Sequence, residues 1–209
     1  LHVRSRRQRQ MCIRDRIYGG VIIKKRDVNT ICFLLIQIII MIILIYRGRT
    51  DFSWSVMITT SSWILYSFLE TRYQIQMSRY IRLLMMLTLF CDAFFGYILN
   101  LYEQSFLFDK ILHMFGTYSF SLFAYALVMQ LQKNHPVNRS VKFILAMCIG
   151  ITLGTIYEIS EFIGDNISHP NPPNQPSLLD TDVDLIGDLI GAVIAGIHVS
   201  IKNLVGEKF

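Results

Sequence analysis

Six apolar stretches, at residues 30–46, 54–69, 81–102, 108–131, 141–164 and 183–204, dominate the chain. Each approaches the about 20 residues that carry a helix across the hydrocarbon core of a bilayer. Inside lipid the backbone must satisfy its own hydrogen bonds, so only helices and closed barrels can span. The stretches are continuous and show no alternation of period two, which selects helices over barrel strands. The expected fold is therefore all-α: a polytopic membrane helix bundle of about six transmembrane helices. The second stretch is the shortest and carries Thr59, Thr60, Ser61 and Ser62, which makes it the weakest of the six. Composition agrees, with 53% hydrophobic and only 17% charged residues.

The formal charge of +5 does not point to a nucleic-acid partner. Residues 1–16, LHVRSRRQRQMCIRDR, hold six Arg and one Asp, so they carry the whole excess and the rest of the chain is neutral overall. Their QMCIRDR resembles a translated sequencing-library adapter; the alternative is a basic arm lying on a membrane surface. The segment is set apart from the fold, leaving residues 17–209 as a single transmembrane domain. Cys12, Cys32, Cys91 and Cys148 show no paired spacing. They imply neither a disulfide framework nor a thiolate zinc site.

Orientation follows from the connections. Lys24, Lys25 and Arg26 precede the first stretch, Arg72, Arg79 and Arg82 surround the second connection, and Lys133, Arg139 and Lys142 fill the fourth. By the positive-inside rule these connections and both termini are cytoplasmic. The connection with Glu103 and Gln104, and the Pro- and Asn-rich one at 165–182, lack Lys and Arg and are expected outside. Arg47 and Arg49, in an expected outer turn, run against this pattern.

Against that apolar background the carboxylates stand out. An ionisable group at the centre of a membrane helix costs roughly 2.5–3.5 kcal/mol on insertion scales. Yet Asp109 and His113 stand four apart, Glu158, Glu161 and Asp165 follow at helical spacing, and Asp180, Asp184 and Asp188 form a stripe on the last stretch. The topology brings all three groups to the external side, at one expected depth. Carboxylates held together there share protons or hold a cation. Asp109, His113, Glu158, Glu161, Asp184 and Asp188 are the expected metal ligands, with Glu158 or His113 as a base in any catalysis. The bland reading is that acids at helix ends are solvated or capping; it fits Asp165, Asp180 and Asp182 best. Lys110 is expected to snorkel to the interface. Asp92, alone in FCDAFFGY, is open between a buried structural acid and a functional one, and His169 and His198 read as bystanders. Gly150 and Gly154, and Gly187 and Gly191, form GxxxG pairs that would press the fifth and sixth helices together.

FDKILHMFGTYSFSLFAYAL, GTIYEISEFIGD and DTDVDLIGDLIGAVIAG, in that order, resemble the motifs of a YjdF-type family of uncharacterised bacterial inner-membrane proteins within a broader VanZ-like group. The similarity covers roughly residues 73–197. It departs from the wider group where Gly187 and Asp188 precede Leu189 and Ile190 without the usual Asn. The resemblance implies a multi-pass protein of the bacterial cytoplasmic membrane, with VanZ itself tied to glycopeptide resistance, and it implies no reaction.

The expected function is thus a multi-pass bacterial membrane protein of unknown activity, with an outward-facing Asp/Glu/His pocket for a divalent metal ion such as Mg, Mn or Zn. One rival is a metal-dependent enzyme acting on a lipid or isoprenoid phosphate in the outer leaflet; the absence of an Arg to grip phosphate stands against it. Another is a proton- or cation-coupled transporter, without an evident inverted repeat. A third is an assembly protein whose acids are structural. Membrane lipids are the one expected partner, and nucleic acid is not; any small-molecule or lipid ligand is left open.

Overall fold

The computed structural model describes residues 28–132, 137–170 and 173–202; the basic segment at 1–16 lies outside them. The described residues form helices throughout: α1 (Val28–Tyr46), α2 (Thr50–Arg72), α3 (Arg79–Phe90), continued as a wider π-helical segment Cys91–Ile98, the short α4 (Leu101–Gln104), α5 (Phe106–Leu131), α6 (Arg139–Ser168) and α7 (Leu178–Ile201). Their starts are set by polar caps. Ser78, Ser105, Asn138 and Ser177 each accept, through the side-chain oxygen, a hydrogen bond from the backbone N–H three residues on. Those bonds satisfy donors that the first helical turn leaves free.

The bundle inverts the arrangement of a water-soluble domain. Its outer faces are apolar, including Ile42 and Ile45 of α1, Ile58 and Phe68 of α2 and Ile151 and Ile159 of α6, while acids, Lys110 and His113 are buried. Such surfaces suit hydrocarbon and would be a liability in water. Several hydroxyls are satisfied within their own helices, as when Thr59, Ser67, Thr88 and Thr152 donate to carbonyls four residues back. α7 packs between α5 and α6, and α3 lies on the other side of α5. The core joining them holds Ile81, Leu122, Tyr125, Ala126, Ala146, Ala195 and Val199. α1 and α2 run antiparallel: Leu44 and Val56 meet in one cluster with Ala93, and Phe33 and Trp63 in another with Met85 and Met86.

Among the described residues, five helices are long and apolar enough to cross a membrane: α1, α3 with its continuation, α5, α6 and α7. This is consistent with the expected bundle of about six, the second stretch again being the marginal one. α2 has the length, about 34 Å at 1.5 Å per residue, but the run from Thr59 to Ser62 lowers its apolarity. The third stretch also ends earlier than expected, at Ile98. Leu99 N–H reaches back five residues to Phe94, and Asn100 turns the chain in the left-handed region at φ 58°.

The two ends differ in charge. One gathers Arg72, Arg79, Arg82, Arg139, Lys142 and Lys202; the other carries Glu103, Asp109, Glu158, Glu161, Asp165, Asp180 and Asp182. Arg47 and Arg49 are absorbed into the acidic end. Arg47 donates to the carbonyl of Ile98 at 2.7 Å, and Arg49 lies 3.6 Å from Glu103 and over the Phe52 ring.

Candidate functional site

Helical spacing on α5 and α7 builds the site. Asp109, His113 and Thr117 are successive turns of one α5 face, and Asp180, Asp184 and Asp188 are successive turns of the facing α7 stripe. Glu158 joins from α6. His113 is the centre: its Nδ1 lies 3.3 Å from Asp188 Oδ1 and 3.5 Å from Glu158 Oε1, and its Nε2 lies 3.7 Å from Asp109 Oδ1 and 3.8 Å from Asp184 Oδ1. The ring is held edge-on to Tyr157 at 5.4 Å between centroids. Asp184, Asp188 and Glu158 are only 2%, 3% and 4% exposed. Even so, Asp184 Oδ1, Asp188 Oδ2 and Glu158 Oε1 make no hydrogen bond.

Those distances and free oxygens decide what the site fits. Most are wider than a good hydrogen bond. A tetrahedral ion with ligands at about 2.0–2.2 Å sets neighbouring ligand atoms about 3.3–3.6 Å apart, which is the spacing of His113 Nδ1 from Asp188 and Glu158. His113, Glu158 and Asp188 offer ligand atoms all within 4.8 Å of one another, and so do Asp109, His113 and Asp184. One imidazole ring normally ligates through one nitrogen while the other donates to a carboxylate. The buried triad His113–Glu158–Asp188 could hold such an ion through Nδ1, while Nε2 faces Asp109 and Asp184 on the other side of the ring.

Lys110 completes the upper half of the site. It does not snorkel: its ammonium is buried and donates to Asp109 Oδ2 at 3.0 Å, Asp180 Oδ1 at 2.5 Å and Asp184 Oδ2 at 2.7 Å, with the Phe106 ring 4.9 Å away. The sequence alone cannot show that Asp180 and Asp184 approach it from α7. Six carboxylates, of Asp109, Glu158, Glu161, Asp180, Asp184 and Asp188, face Lys110 and His113. The balance is negative.

Two groups that sequence reasoning did not single out hold the acids. Thr117 donates to Asp188 Oδ1 at 2.5 Å, and Gln175 donates to both the side-chain and backbone oxygens of Glu158 at 2.9 Å. Spacing four from His113 was the signal for Thr117; nothing marked Gln175. Gln175 is placed by Asp165, whose carboxylate accepts from the backbone N–H groups of Asn174 and Gln175 and from the Asn174 amide. Asp165 therefore braces the connection. Asp180 caps nothing through its side chain and serves Lys110, while Ser177 caps α7.

Glu161 lies within electrostatic reach of Glu158 and His113 but offers no ligand atom to either close group. Asp92 accepts a hydrogen bond from Tyr102 at 2.6 Å. Burial and the neighbouring Asp92 hold the Tyr102 hydroxyl well above its usual range, which keeps it a donor. His198 belongs to the basic end, bonded through Nδ1 to Tyr118 at 2.6 Å, with Tyr80 beyond. His169 ends α6 in a left-handed turn.

The three groups meet at the level of His113, Glu158 and Asp188, and the α7 acids reach that level as a ladder. Asp180, Asp184 and Asp188 descend α7 in steps of about 6 Å, and Asp188 stands about 15 Å from the helix start, half the thickness of a typical hydrocarbon core. The glycines also face differently from the expected α6–α7 zipper. Gly150 and Gly154 do meet α7, where a Cβ on Gly154 would lie 2.6 Å from Asp188 Cγ. Gly187 and Gly191, however, receive the α5 backbone at Lys110, Met114 and Tyr118.

Comparison with known proteins places the chain without assigning it a reaction. It is 34% identical over 111 residues to an uncharacterised protein of Thermotoga maritima, an alignment covering 53% of this chain and 56% of that protein. The chain thus matches little more than half the length of that relative. No solved structure matches it. The profile of a family described as "Predicted membrane protein (DUF2238)" matches residues 29–203, from the first turn of α1 to past the end of α7, and the chain belongs to that family.

Proposed function

We propose that this multi-pass membrane protein binds one divalent cation through His113 Nδ1, Glu158 and Asp188. The observation that carries the reading is the spacing of those three buried groups, with Glu158 Oε1 and Asp188 Oδ2 left without a hydrogen bond. One nitrogen with two carboxylates suits Mn or Zn better than Ca, which prefers oxygen alone. Thr117 and Gln175 would fix the carboxylates, as outer partners do in metal sites. The charge asymmetry supports an orientation with the basic end cytoplasmic and the site opening outward. The resemblance to YjdF-type and VanZ-like proteins supports a bacterial cytoplasmic membrane.

The descending ladder favours passage of the cation as a second reading. It does not favour a lipid-phosphate enzyme, since Lys110, the one amine in the site, is taken up by three carboxylates. The test is elemental analysis of detergent-purified protein after equilibration with Mn²⁺ and dialysis. One ion per chain is expected, lost in His113→Ala and in Asp188→Asn; a metal-free wild type overturns the reading. In proteoliposomes, Mn²⁺ entry abolished by Asp188→Asn selects passage, and its absence selects a static site.

A further inference from the structure

Away from the acids, the side of the bundle built by α1, α2 and α3 buries a separate set of polar groups. Gln37 is the one amide in the apolar run 31–45 of α1 and is 1% exposed. Its Nε2 donates to the carbonyl of Leu89 at 3.3 Å. A carbonyl only accepts, so this bond fixes the amide and turns Oε1 the other way. On α2, Trp63 is 3% exposed, and the hydroxyl oxygen of Thr60, one turn earlier, is buried as well. Gln37 Oε1, Trp63 Nε1 and Thr60 Oγ1 all make no hydrogen bond. Thr60 cannot fall back on the carbonyl of Val56, four residues before it. That oxygen serves the helical N–H of Thr60 and also accepts from Thr59 Oγ1 at 3.1 Å, which fills both lone pairs.

The antiparallel register brings these three groups to one level. Phe33 packs edge-on against Trp63 at 5.7 Å between centroids, and Leu44 clusters with Val56, so Gln37 falls opposite the turn from Thr60 to Trp63. Gln37 and Thr60 stand nine and ten residues from their helix starts, about 14–15 Å, which is the middle of a typical hydrocarbon core. An indole N–H only donates, an amide oxygen only accepts, and a hydroxyl does either. A cation is repelled by the first and an anion by the second, so the set matches a neutral molecule that both accepts and donates. We propose that a water molecule is bound here, accepting from Trp63 Nε1 and donating to Gln37 Oε1, with Thr60 as its third partner. Buried waters hold two to four such bonds, and the apolar neighbours Phe33, Met85 and Met86 offer no rival partner. The water ties α2 to α1, and Gln37 carries the tie on to α3 through Leu89. The polar run that makes α2 a marginal span thus holds a ligand at membrane depth. This site is independent of the cation site and stands whether or not that site takes a metal.

Radical footprinting of the full chain in lipid nanodiscs, read by mass spectrometry, tests the site. Hydroxyl radicals made by an X-ray pulse arise from water wherever it is held and react close to where they form, so a buried indole is oxidised when a bound water lies beside it. Trp54, 61% exposed near the start of α2, reports on outside water in the same molecule. Trp63 is expected to be oxidised at about a tenth of the Trp54 rate or faster, and about tenfold more slowly once Gln37→Leu and Thr60→Val together remove the water's other partners. A wild-type Trp63 rate below about a tenth of that of Trp54 overturns the proposal, and this comparison requires no variant to fold. A Trp63 rate unchanged in the double variant also overturns it, because the radicals then reach the indole by another route.

Discussion

At the scale of single residues, the glycines of α6 separate packing from site geometry. A Cβ at Gly150 would stand 2.6 Å from Ala192 Cβ, and one at Gly154 would stand 2.6 Å from Asp188 Cγ. Both contacts are too close to keep, and overpacking of this kind costs typically about 1–3 kcal/mol. Gly150→Ala pushes on an inert methyl, so it should lower thermal stability while leaving Mn²⁺ affinity within about twofold. Gly154→Ala pushes on a ligand carboxylate, so at similar stability loss it should weaken Mn²⁺ binding by about tenfold or more. Calorimetric titration of the two variants checks this, and equal affinities would detach Asp188 from the ion. The acids themselves were legible in the sequence, because an ionisable group in an apolar helix needs a partner wherever it sits. Thr117 and Gln175 were not: a hydroxyl in a membrane helix usually bonds its own backbone, and Gln175 comes from a connection whose path no periodicity describes.

At the scale of elements, α2 shows how a helix of middling apolarity is held in a bundle. Its far end is fixed by Glu70, which forms a buried ion pair with Arg82 of α3; Arg82 also donates to Thr30 of α1 at 2.9 Å and lies over the rings of Trp63 and Tyr66. One guanidinium thereby ties three helices. Removing one member of a buried pair strands the other and costs about 3–5 kcal/mol. Glu70→Gln and Arg82→Met should each lower the unfolding midpoint in detergent strongly, and the double variant should lose less than the two losses added. Mn²⁺ binding by the surviving folded fraction should be unchanged, because the pair stands at the opposite end from the acids; reduced binding would mean that the two ends are coupled. Hydropathy made five spans plain and left α2 marginal, since it weighs Thr59 to Ser62 as polar whether or not their hydroxyls are satisfied. It was also blind to direction. A GxxxG stripe announces a close neighbour without saying which, and α7 turned out to present Gly187 and Gly191 to α5.

At the scale of the whole molecule, the two charged ends make orientation testable without reference to any activity. Ser177 lies in the connection before α7 and is exposed at the acidic end, whereas Lys202 follows α7 at the basic end. α7 has 24 residues, about 36 Å at 1.5 Å per residue, so the two positions fall on opposite sides of a hydrocarbon core about 30 Å thick. With Cys12, Cys32, Cys91 and Cys148 replaced by Ser or Ala, Ser177→Cys should react with an impermeant maleimide in intact spheroplasts, and Lys202→Cys only after lysis. This pairing of sites removes the dependence on α2, whose spanning decides the topology upstream but not across α7. Labelling of Lys202→Cys in intact cells and protection of Ser177→Cys would invert the bundle and turn the acid ladder toward the cytoplasm. The cation would then be drawn from inside the cell, and the site at His113 would open to that side.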